Sequence, residues 1–90
     1  MPPKRGWLRC RIQPGSLARE YAVTIKTSDG DLISLFAPEE FIRASQPEGE
    51  AQISVDVVDS DAEFALVVLP RQTFERGSVA KVALQAVTAA

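Results

Sequence analysis

The 90-residue chain contains no histidine, and it has only one cysteine, one tryptophan and one tyrosine. Without histidine there is no Ser-His-Asp or Cys-His nucleophile system, no ordinary proton carrier near neutral pH, and no member of the commonest zinc-ligand sets. A lone cysteine, Cys10, excludes an internal disulfide, a Cys-rich metal site and a Cys-x-x-Cys redox pair. Gly-x-Gly-x-x-Gly, phosphate-loop and nucleophile-elbow patterns are all missing, so no nucleotide or other cofactor is expected. Apolar runs are short. None approaches the roughly 18 residues of a membrane span, and none follows the basic start (Lys4, Arg5, Arg9, Arg11) in the manner of a secretory leader. The expected setting is a reducing cytoplasm, with no membrane partner.

What the chain does have is aliphatic bulk. The hydrophobic share is 46%, dominated by Val, Ile, Leu and Ala, which is globular rather than disordered. Ninety residues make one domain, too small to enclose a roomy cavity, so binding is expected at the surface. Residues 1–6, with Pro2, Pro3 and Gly6, read as a loose arm, residues 7–87 as the domain and residues 88–90 as a tail. The net charge of −2 conceals an asymmetry. Residues 1–19 carry five cations and no acid, whereas residues 20–75 hold all twelve acids against Lys26, Arg43 and Arg71.

The apolar residues alternate, which predicts half-buried strands. In residues 7–13, Leu8, Cys10 and Ile12 share one face, and Trp7, Arg9, Arg11 and Gln13 the other. Residues 20–27 and 31–37 form the next two strands around Ser28-Asp29-Gly30. A three-residue turn with Gly30 in the left-handed region sets Val23 beside Leu35, Ile25 beside Ile33 and Thr24 beside Ser34; a two-residue turn would pair apolar with polar. Strands over 51–58 and 63–69 follow, the latter almost wholly apolar and so expected at the sheet's centre. Short helical turns are expected at Pro38 and Pro70. The tail from Val79 to Val87 fits both strand and helix spacing, and its β-branched content favours a strand. Phe36-Ala37-Pro38 with Phe41 and Arg43 is echoed by Val68-Leu69-Pro70 with Phe74 and Arg76, which suggests a duplicated hairpin-plus-turn unit over 21–43 and 51–76. The fold class expected is all-β: a small barrel or sandwich of five or six mainly antiparallel strands, SH3-like by strand count and length alone.

Three surfaces are candidates for function. Lys4, Arg5, Trp7, Arg9 and Arg11 place cations beside an aromatic platform, the combination that suits single-stranded nucleic acid. Acids such as Glu20 or Asp56 on a neighbouring strand could equally neutralise them. Asp56, Asp59, Asp61 and Glu63 cluster as paired carboxylates would in a metal-dependent enzyme, but at an expected exposed hairpin, where a solvated turn explains them better. The apolar strands at 32–36 and 64–69 need covering, which suggests a protein partner or self-association through an exposed sheet edge. The function expected is therefore that of a non-catalytic protein-interaction or regulatory module. A nucleic-acid-binding barrel is the alternative, and a metal enzyme a distant third. Cys10 falls on the apolar face and reads as a small buried hydrophobe.

Overall fold

A computed structural model describes residues 4–90. Eight strands form one antiparallel sheet that curls into a barrel-like half-shell: β1 (Lys4–Pro14), β2 (Glu20–Lys26), β3 (Leu32–Pro38), β4 (Ile42–Arg43), β5 (Gly49–Ser60), β6 (Phe64–Val68), β7 (Val79–Ala83) and β8 (Val87–Ala89). The order is β3-β2-β1-β5-β6-β7, with β4 added to β5 and β8 added to β1. The all-β architecture is as expected, with eight strands in place of five or six. The extra strands, β4 and β8, are too short to produce a readable alternation.

Burial follows the alternation. Gly6, Leu8, Cys10 and Ile12 of β1 point inward and meet Ile53 and Val55 of β5, Val23 and Ile25 of β2, and Ile33 and Leu35 of β3, with Val67 and Val82 closing the core. The β2–β3 register is the one that the bulged turn requires: Val23 opposite Leu35, Thr24 opposite Ser34, Ile25 opposite Ile33. Gly30 sits at φ 89°, where a side chain is strained, and the Thr27 N–H donates to the Asp31 carbonyl across the turn.

Several expectations fail for identifiable reasons. The centre of the sheet is the β1–β5 pair, not the apolar strand at 64–69. β6 lies one strand in from the edge, with Ala65 and Val67 buried and Leu66 exposed. β1 and β5 take the centre because they are the longest strands, each with partners along both sides. Pro70 starts no helical turn. The two 3₁₀ turns are Glu39–Phe41, after Pro38 as expected, and Leu84–Ala86. The tail is thus β7, a 3₁₀ turn and β8. From Lys4 onward the segment expected to be a loose arm is strand; residues 1–3 lie outside the described residues. Gly6 marks a close approach, since a Cβ there would lie 3.1 Å from Val87 Cγ1 on β8.

A repeat exists, but not over 21–43 and 51–76. β5 begins 45 residues after β1 (Lys4, Gly49), and the same step separates the two 3₁₀ turns (Glu39, Leu84) and β4 from β8 (Ile42, Val87). The pairing obeys the same step. Ile42 opposite Ile53 becomes Val87 opposite Leu8, and Arg43 opposite Gln52 becomes Thr88 opposite Trp7. Arg5 opposite Asp56 becomes Glu50 opposite Arg11. The chain is two β-β-β-3₁₀-β halves related by a pseudo-two-fold axis through the Leu8–Ile53 pair, each half lending its last strand to the other's first.

β3 and β7 are the edge strands, and each edge is met by a loop at one residue. Ser34 on β3 accepts from the Phe74 N–H at 2.8 Å and donates its own N–H to Glu75 Oε1 at 2.7 Å. On β7, the Lys81 carbonyl accepts from the Ser28 N–H at 2.9 Å. Such contacts interrupt each edge in its middle and hinder a long intermolecular strand pairing there.

Candidate functional site

The alternation of β1 turns Arg5, Trp7, Arg9 and Arg11 to the outer face, as expected, while Lys4 sits at the strand's first position with the parity of the inward residues. In register beside them on β5 stand Asp56, Ser54, Gln52 and Glu50. Most of the cluster is already engaged. Arg5 donates from Nη1 to Ser54 Oγ, and its Nε lies 3.3 Å from Asp56 Oδ1. Arg9 donates to the Gln85 carbonyl at 3.3 Å. Arg11 faces Glu50 across the ladder.

The residue that sequence reasoning missed is Arg43. β4 carries it to β5 opposite Gln52, where its Nε donates to Gln52 Oε1 at 2.9 Å, and its guanidinium carbon lies 4.6 Å from the centre of the Trp7 ring. The contact is a cation–π pair across 36 positions of sequence, and no local pattern signals it. Two open hollows flank this centre. One of about 550 Å³ is bordered by Arg9, Arg43, Ser45, Glu50 and Gln52. The other, of about 590 Å³, is bordered by Arg11, Gln13, Thr24 and Glu48. Both are polar and interleave cations with acids.

The carboxylates of residues 56–63 do not converge. Asp56 pairs with Arg5, Asp59 Oδ1 accepts from the Ser60 N–H, and Asp61 Oδ1 accepts from the N–H groups of Glu63 and Phe64, each at 2.8 Å. Those two amides hold the Asp61 carboxyl below its ordinary range. Asp61 is a turn-capping residue. Among the described residues, no three or more His, Cys, Asp or Glu side chains come together as a metal site. Cys10 is buried, and desolvation pushes its thiol up to about 12.

Away from this polar centre, an apolar strip runs over the bulge of β5, the outer side of β6 and the start of β7. Val68 stands opposite Val79, and Leu66 lies beside the bulge that carries Val58. Val58 is 45% exposed, Leu66 37% and Val79 50%. Lys81 lies with its Nζ 4.4 Å from the centre of the Phe64 ring, and Asp59, Asp61 and Glu63 form an acidic rim at that end of the strip. At the corresponding places on β2 and β3 the chain has Ala22, Thr24 and Ser34, and there Phe74 packs edge-on against Phe36 with centroids 5.3 Å apart. No helix among the described residues is long and apolar enough to cross a membrane. No family model, no curated protein and no solved structure matches this chain.

Proposed function

We propose that this chain is a non-catalytic protein-interaction module whose docking surface is the outer face of β5–β7, and that its partner segment carries apolar side chains alternating with basic ones. One observation carries this reading: Val58, Leu66 and Val79 stand exposed on the outer face of β5–β7, with Val68 opposite Val79 across the ladder and an acidic rim at one end. Clustered exposed aliphatics lower the free energy of the complex rather than that of the free chain. The acidic rim of Asp59, Asp61 and Glu63 supplies the charge preference. Regulation by such a contact needs no reacting group, and the buried Cys10 suits a reducing compartment such as the cytoplasm.

The nucleic-acid reading is the weaker one. Base stacking needs an open aromatic face, and the Arg43 guanidinium lies over Trp7; Asp56 and Glu50 sit among the arginines that would meet phosphates.

The test is an NMR titration with two synthetic peptides of equal length, one alternating valine with lysine and one alternating valine with glutamate. The lysine peptide is expected to shift the amides of β6 and β7, to weaken as salt rises, and to lose binding in a Leu66→Asp, Val79→Asp variant. Equal response to both peptides, shifts centred on Arg9 and Arg43, or retained binding in the variant sinks the proposal. Tight binding of single-stranded RNA with shifts at Trp7 would restore the alternative.

A further inference from the structure

We infer that a second copy of this chain is a structural partner, engaged by exchange of complete halves: the first half of one copy folds against the second half of another. The pseudo-two-fold arrangement makes each half incomplete alone. β4 belongs to the first half but pairs with β5 of the second, and β8 belongs to the second but pairs with β1 of the first. The β1–β5 seam joins the halves from Lys4–Val57 to Ile12–Gly49. The β3 edge is closed by Phe74 and Glu75, and the β7 edge receives Ser28. Every one of these contacts is non-covalent, so a half from another copy satisfies them equally well.

Only residues 44–48 tie the halves together. They belong to no strand, they are exposed, and they contain Pro47. Whether the halves close on each other or on a neighbour is thus a matter of link length and concentration. A link this short holds the halves at an effective concentration on the order of millimolar. At about 10 μM the closed monomer prevails by roughly a hundredfold, and near 1 mM refolding yields exchanged dimer in comparable amount.

The link's length can be removed from the equation. Arg43 lies opposite Gln52, and Gly49 is three residues back along β5. At about 3.4 Å per residue and about 4.8 Å between strands, the link spans about 11 Å. A single peptide step covers about 3.8 Å. Deleting residues 44–48 therefore forbids the closed monomer and leaves the exchanged dimer, in which the join runs between two barrels.

The experiment uses the full chain in two forms. Wild type is refolded from denaturant at about 10 μM and at about 1 mM, and the deletion variant is refolded at about 10 μM. Mass is then read by light scattering and backbone by circular dichroism. Expected are a monomer, a monomer–dimer mixture and a β-rich dimer, respectively. A folded monomer of the deletion variant, or a wild type wholly monomeric after refolding at the high concentration, overturns the inference. A second pair of variants guards against simple misfolding of the deletion. Ile25→Asp disables the first half and Val67→Asp the second, because each residue is buried. Each alone is expected to stay unfolded, and the two refolded together to regain half of the native β signal in a dimer, one barrel being built from the two intact halves. No recovery on mixing overturns the inference as well.

Discussion

The two halves of this molecule share a backbone plan and almost nothing else. β1 faces outward with Arg5, Trp7, Arg9 and Arg11, and β5 with Glu50, Gln52, Ser54 and Asp56 at the related places. The two-fold thus sets cations of one half against acids of the other, a cross-strand preference worth a few tenths of a kcal/mol per pair. The hairpins differ in a second way. β2 and β3 are joined by residues 27–31, which just turn the chain; β6 and β7 are joined by residues 69–78, which reach across to clasp β3. What this teaches is that the inward residues alone carry the repeat. The outer face and the loops are free to diverge, so one flank carries the Phe36–Phe74 aromatic pair and the other an aliphatic strip of Val58, Leu66 and Val79.

The sharpest test of that comparison is at the axis. Leu8 and Ile53 face each other and neither is exposed, so Leu8→Ala and Ile53→Ala should each cost about 2–5 kcal/mol and by comparable amounts. The double variant should depart from additivity, since the residues touch. Urea unfolding reads all three, and a large inequality between the singles breaks the two-fold description.

The turns come next. Gly30→Ala forces a side chain into φ 89° with no neighbour to blame, and should cost about 1–2 kcal/mol. Gly77→Ala, in the long loop, has open space and no positive φ, and should change stability by less than about 0.5 kcal/mol. Equal effects would show that the short turn is no more constrained than the long one.

The clasp itself is sensitive to pH. Glu75 is exposed, and the Ser34 N–H holds its carboxyl below its ordinary 4.5. The folded chain therefore binds fewer protons there than the unfolded one. Its stabilising share is complete above 4.5 and fades as pH falls through the lower folded value. Asp61 contributes with the same sign. Acidification from about pH 6 to about pH 3 should lower the urea midpoint, and Glu75→Gln should flatten part of that fall and release the Ser34 amide resonance. An unchanged slope in Glu75→Gln removes Glu75 from the account. The smallest effect belongs to Arg43→Ala. Less than about 1 kcal/mol is expected, with a clear change in Trp7 emission as the guanidinium leaves the ring.

Much of this was legible in the residues and some was not. The β2–β3 register followed from matching Val23 and Ile25 with Leu35 and Ile33, because a slip of one position would bury Thr24. The inward set of β1 followed from period two. The centre of the sheet did not follow from apolar content. Leu66 is apolar and exposed, whereas β1 carries three arginines and Lys4 and is central; strand length and pairing, not hydropathy, decide that place. The repeat was sought in Pro38 and Pro70, whose resemblance is a coincidence of turn chemistry. The true counterparts, such as Arg43 and Thr88, have unrelated side chains. Of the candidate site, the face of β1 was readable and its neutralisation by Asp56 was foreseen. The arrival of Arg43 on Trp7 depends on a two-residue strand that leaves no periodic trace.

Cys10 gives the molecule a built-in clock. The thiol lies on the inner side of the β1–β5 seam opposite Ala51, and its ionisation is pushed up to about 12, so alkylating reagents at mildly alkaline pH meet almost no thiolate while the sheet is intact. Labelling must wait for the seam to part, and its rate in native buffer counts the openings that separate one half from the other.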